Sequence, residues 1–175
     1  MEGSAAKMYQ IGETVLYGTE GVCTIAEIRE MKIGRERASY YVLQPVHREG
    51  ATIFVPLANE TLLAKMRPLL SAAEIDGLLQ CVGRAEPVWI EDAALRKEEF
   101  RRILTAGDRK ELLGMIRTLY LRREALYGAG KRLRTNDEQM LRDAEKLLND
   151  EFALVLQIKP REVPEYIRSR LEEAS

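Results

Sequence analysis

Apolar positions along this chain recur with a period of two up to about residue 67, and with a period near 3.6 after about residue 71. That switch predicts a small sheet followed by helices, with domains over 8–67 and 68–175. The clearest alternation runs from Ile11 to Ile28. Val15 and Tyr17 fall on one side of a strand, and Thr14 and Leu16 on the other. Gly18 and Gly21 bracket a tight turn, after which Val22, Thr24 and Ala26 alternate with Cys23, Ile25 and Glu27. The pattern predicts two short strands joined by a four-residue turn. Strands are expected near Thr14–Tyr17, Val22–Ile33, Ser39–Val46, Thr52–Pro56 and Leu62–Arg67. Short strands with tight turns favour a curled barrel of SH3-like or Tudor-like size, because closure removes exposed edges.

Helix start signals follow at intervals. Ser71-Ala-Ala-Glu74 has the form of a capping box, and Asp108-Arg-Lys-Glu111 and Thr135-Asn-Asp-Glu138 repeat it. The predicted helices run 71–82, 90–106, 108–127, 135–157 and 161–173. Gly107 and the Gly128/Gly130 pair supply stops, and Pro160 and Pro164 mark the start of the last helix. The fold class is therefore α+β, a small N-terminal barrel followed by a C-terminal five-helix bundle.

Composition narrows the function. Of the 175 residues 46% are hydrophobic and 31% charged, enough for a packed core. The net charge of −1 argues against binding nucleic acid through bulk charge alone. The charge is unevenly spread, however. Residues 94–134 hold twelve basic and five acidic groups, a net of +7, while residues 135–175 carry −4. One electropositive side is expected on the bundle. Cys23 and Cys81 form no CxxC and read as two buried thiols in a reducing compartment. No apolar run is long enough to span a membrane, and Met1–Met8 lacks a signal-peptide core; it is expected to be a short disordered lead. A cytoplasmic protein is expected. His47 is the single histidine, no nucleophile–base pair stands out, and there is no phosphate-loop motif. Neither catalysis, a metal, a cofactor nor a small-molecule substrate is expected. Most of the seven tyrosines fall on the apolar phase of their elements, which points to packing over base stacking.

Gly12, Val15, Tyr17, Gly18, Gly21, Val22, Ile25 and Ile28 together resemble the opening of the RNA-polymerase-interacting domain of the bacterial CarD family of transcription regulators. Tyr40-Tyr-Val-Leu43, Pro45 and Ile53-Phe-Val-Pro56 continue the likeness. Thr105-Ala-Gly-Asp108, Met140-Leu141, Ala144 and Leu147-Leu-Asn-Asp-Glu151 extend it, more loosely, into the helices. The resemblance implies a Tudor-like barrel that docks on the RNA polymerase β subunit by edge-to-edge strand pairing, with Met31, Ile53 and Phe54 at the contact. Some relatives place arginines at the positions matching Met31 and Phe54, so this chain is a divergent member with an apolar contact or a shifted one. Phe54 also reads as barrel core.

The resemblance further implies a helical domain that meets promoter DNA at the upstream edge of the bubble. There a tryptophan presses on the minor groove, and neighbouring cations hold phosphates without reading sequence. Trp89 is the single tryptophan, about one turn further from Gly107 than the family pattern, with acidic Glu91 and Asp92 after it. It reads either as that wedge or as a packed anchor. Arg96, Lys97 and Arg101, then Arg122, Arg123 and the loop with Lys131, Arg132 and Arg134, are the candidate phosphate contacts; a solvated face is the other reading. The expected function is modulation of open-complex stability through polymerase β and promoter DNA. The alternative is a polymerase-binding adaptor whose helices recruit another protein.

Overall fold

A computed structural model describes residues 8–175; the expected lead lies, as far as Lys7, outside the described residues. The chain divides into two compact units, the first ending at Leu69 and the second running Leu70–Ser175.

In the first unit, strands β1 (Thr14–Tyr17), β2 (Val22–Ile33), β3 (Glu36–Pro45), β4 (Ile53–Pro56) and β5 (Met66–Pro68) form one antiparallel sheet in the order β4-β3-β2-β1-β5. The sheet curls enough that Val55 of β4 and Met66 of β5 share one core with Val15, Cys23, Ile25, Tyr41 and Leu43. The ladder nevertheless ends at β4 and β5, each an edge. Tyr9 ties the curl together: its hydroxyl donates to the Met66 carbonyl, and its N–H donates to the Tyr41 hydroxyl, both at 3.1 Å. Gly18 and Gly21 both take positive φ, 49° and 81°, at the two ends of the β1–β2 turn.

A bulge at Ala26 shifts the β2–β3 register: Ile25 pairs with Leu43, but Glu27 pairs with Val42. Before the bulge, odd-numbered residues of β2 share the core-facing rows. After it the even-numbered ones do, so Arg29 and Met31 sit on the outer face, in register with Tyr40 and Ala38. The fifth strand differs from expectation. Asn59 caps a one-turn helix α1 (Glu60–Leu63) by accepting from the Leu62 N–H, which leaves only Met66–Pro68 to pair with β1.

The second unit packs α2 (Ala72–Arg84), α3 (Ala93–Ala106), α4 (Arg109–Gly128), α5 (Thr135–Leu156) and α6 (Val163–Ala174) around a core that includes Ile75, Leu79, Leu113, Ile116, Leu148, Phe152 and Ile167. Burying each such side chain stabilises the fold by roughly 1.5–3 kcal/mol over leaving it exposed. The Ser71 capping box forms in full. Asp108 caps α4, but Glu111 turns its carboxylate to Arg102, so that box is half made. Thr135 is not a cap but the first residue of the helix; Arg134 holds the cap position with no side-chain bond, since a guanidinium has no acceptor to offer a backbone N–H. Helix α3 starts at Ala93, since Asp92 accepts from the Ala94 and Leu95 N–H groups and ends the extended stretch before it. The two thiols differ: Cys23 is buried in the sheet core, whereas Cys81 lies exposed on α2, outside the Ile75–Leu79–Val82 stripe. Tyr127 is likewise exposed.

Candidate functional site

Two surfaces carry the residues singled out from the sequence, one in each unit. In the sheet, β4 is an edge. Leu57 N–H bonds Ser39 carbonyl oxygen, and the register pairs Tyr41 with Val55 and Leu43 with Ile53. By the alternation of an antiparallel ladder, the backbone groups of Ile53 and Val55 face β3, and those of Phe54 face the open edge. Ile53 is partly buried and packs its side chain against the sheet core. Phe54 is on the other face and 41 % exposed, so it is not core. The Arg29 guanidinium lies 5.9 Å from its ring centroid. Arg29, Phe54 and partly buried Met31 thus share the outer face.

In the helical unit, the end of α4 and the loop to α5 build a basic cleft. Gly130 takes φ 73°, and Lys131 N–H closes back on the Leu126 carbonyl at 2.7 Å. Buried Leu133 anchors the loop, so Lys131, Arg132 and Arg134 flank it at the surface. Trp89, Arg122 and Leu126 complete a cleft of about 290 Å³, with Glu91, Arg96 and Asp137 also in its lining. Trp89 is partly buried and packs against the helical core, with the Arg96 and Arg122 guanidinium carbons 4.4 Å and 5.1 Å from its ring centroid.

Arg96 is not a phosphate contact. It is 4 % exposed and spends its donors on Asp137 and on the Ile90 and Glu91 carbonyls. A guanidinium so committed has no fork left for an outside anion. Lys97 and Arg101 project from the exposed face of α3, and Arg123 stacks on Tyr120 at 5.0 Å; none of the three lines the cleft. The structure therefore gathers Trp89, Arg122, Lys131, Arg132 and Arg134, and adds one residue that sequence reasoning misses, Asp137. A signal for the buried pair exists. Arg96 stands four residues before Phe100 and seven before Ile103, and Asp137 three before Met140 and seven before Ala144, each on the apolar stripe of its helix.

Pairing separates the cations of this unit. Arg102 bonds Glu99 and Glu111, Arg109 bonds Glu151, and Arg117 bonds the Ala85 carbonyl. Arg122, Lys131, Arg132 and Arg134 make no ion pair with a carboxylate among the described residues. A second cleft, of about 420 Å³, is apolar, with Val82, Val88, Ile90, Phe100, Ile103 and Met115 in its wall. Among the described residues no group of three or more His, Cys, Asp or Glu is placed to hold a metal, and no helix is long and apolar enough to cross a membrane.

Residues 9–70 match the family model described as the CarD-like/TRCF RID domain, and residues 89–168 match that of the CarD C-terminal domain. No curated protein matches the chain.

Proposed function

The chain belongs to the CarD family, whose members are non-enzymatic transcription factors that interact with RNA polymerase, and from that premise we propose how its two units divide the work. The first docks on the β subunit of polymerase by adding the open edge of β4 to a partner strand. Phe54 backbone groups supply the pairing, and Phe54 with Met31 supplies the apolar contact. The second meets promoter DNA beside the bubble. Arg122, Lys131, Arg132 and Arg134 hold phosphates, the exposed part of the Trp89 indole faces the minor groove, and Lys97, Arg101 and Arg123 add to the field around them. Tethering by the first contact makes a weak second one effective, which suits a chain of net charge −1. The outcome is a change in open-complex stability.

The observation that carries the DNA reading is the convergence of four cations, without carboxylate partners among the described residues, on the cleft that contains the tryptophan. Lys131→Ala/Arg132→Ala is expected to shorten the open-complex lifetime conferred by the wild-type chain. It should also lower the salt slope of DNA binding by about 0.9 for each phosphate no longer neutralised. Phe54→Asp is expected to abolish capture of the β subunit while the variant stays folded. Unchanged lifetime and footprint in the first variant would reject the DNA contact; unchanged capture in the second would move the docking edge elsewhere. The apolar cleft beside α3 and α4 favours one other reading, an adaptor whose helices seat a protein side chain; a retained promoter effect in the cation variant would favour it.

A further inference from the structure

Residues 85–91 form no regular element between α2 and α3, and Trp89 stands near their end. A surface stretch of this kind is ordinarily mobile. One buried side chain holds this one. Arg96 Nε and Nη2 donate to the two carboxylate oxygens of Asp137, each at 3.0 Å. Its Nη1 donates to the Ile90 carbonyl at 2.9 Å and the Glu91 carbonyl at 3.3 Å. Its guanidinium carbon sits 4.4 Å from the Trp89 ring centroid. Helix α3 supplies the arginine and helix α5 the acid, so the two helices and the segment before α3 meet at one group.

We propose that the Arg96–Asp137 pair is a latch that fixes Trp89 at the mouth of the cleft, Arg96 being a positioning residue. This rests on the reading of the cleft as the DNA-facing site. A planar guanidinium has donors in a fixed fork, so Asp137 sets the plane of Arg96, and that plane sets the direction of Nη1 toward the two carbonyls. Lysine carries the charge without the fork. An apolar pair of similar volume would fill the space yet leave both carbonyls and one face of the indole without this partner.

Trp89 is the single tryptophan, so its emission reports the latch in the full chain without a label. In Arg96→Met/Asp137→Leu, thermal unfolding should stay near wild type, because buried ion pairs often give way to apolar pairs at little cost. Acrylamide quenching should rise roughly twofold or more, as expected when hydrogen bonds to a charged donor are removed. The promoter effect should fall with β-subunit capture intact. Arg96→Lys should give an intermediate rise in quenching, and it carries the test if the double variant does not fold. A scaffold role alone would lower the unfolding temperature and leave quenching of the folded protein unchanged, and that result overturns the latch. Quenching is read without DNA, so a wild-type chain with no promoter effect would reject the DNA reading while the latch is still decided. Raised quenching with a full promoter effect would overturn the link between them.

Discussion

The sheet unit and the helical unit treat charge in opposite ways. In the sheet the ion pairs Arg29–Glu27, Arg37–Glu30 and Arg48–Glu20 all lie in solvent, and no charged residue is buried among those described. The helical unit buries Arg96, Asp137 and Glu151. Exposed pairs contribute little to a fold, whereas breaking a buried pair leaves an uncompensated charge. The sheet unit is thus held by its apolar rows and presents a backbone edge, a surface that needs no placed charge. The helical unit instead joins its helices through buried fork-shaped contacts, Arg96 with Asp137 and Arg109 with Glu151.

The contrast can be broken at several points, the largest first. Glu151 accepts from Arg109 Nε at 3.0 Å, from Arg109 Nη2 at 2.6 Å and from the Leu70 N–H at 3.0 Å. Glu151→Ala should cost about 3–5 kcal/mol in urea unfolding of the helical unit. Glu27→Gln in the sheet should leave the unfolding midpoint where it was. Next comes Gly83. A Cβ there would stand 2.6 Å from the Ala174 Cβ and 2.9 Å from the Leu171 carbonyl oxygen of α6. Gly83→Ala should therefore destabilise by about 1–3 kcal/mol through overpacking. A stabilised variant would mean that α2 and α6 do not touch this closely in solution.

The smallest effect uses the two thiols, one in each unit. Burial pushes the Cys23 thiol up to about 11, so near pH 8 it stays protonated and unreactive, while exposed Cys81 is open to reagent. A thiol reagent should label one cysteine of the native chain and two after denaturation. The folded state holds the Cys23 proton more tightly than the unfolded state does. Its contribution to stability is full below the unfolded value near 9, and it falls as pH rises through about 11. Rapid labelling of both thiols in the native protein would mean the sheet core opens far more readily than its burial implies.

Much of this architecture is legible in residue order, and the failures have identifiable causes. The change of period locates the sheet and the helices because one face of each element is apolar. The strand expected at Leu62–Arg67 fails locally: Asn59 offers a cap, and a single turn of helix follows. Thr135 looks like a cap in sequence, but the helix takes it as its first residue after Arg134; the Arg96–Asp137 bond across the bundle is a tertiary contact that local signals do not carry. Arg96 itself stands among surface cations in sequence, although its helical phase puts it with Phe100 and Ile103. Lys131 and Arg132 are legible as charge. Their convergence with Trp89 depends on the Gly130 turn and on Leu133 pulling the loop inward.

The bulge at Ala26 has a consequence for how such a sheet can change length. The rows on either side of it agree only because one residue of β2 is left out of the ladder. Deleting Ala26 would remove the surplus and close a regular ladder, with Arg29, Met31 and their neighbours on the faces they hold now. The sheet would give up some local twist and little else. Keeping Ala26 but forcing it into the ladder would do the reverse, turning Arg29 and Met31 inward and Ile28 and Glu30 outward. The bulge is thus an expansion joint: a one-residue change in chain length is absorbed at this point, and the outer face beside Phe54 is insulated from it.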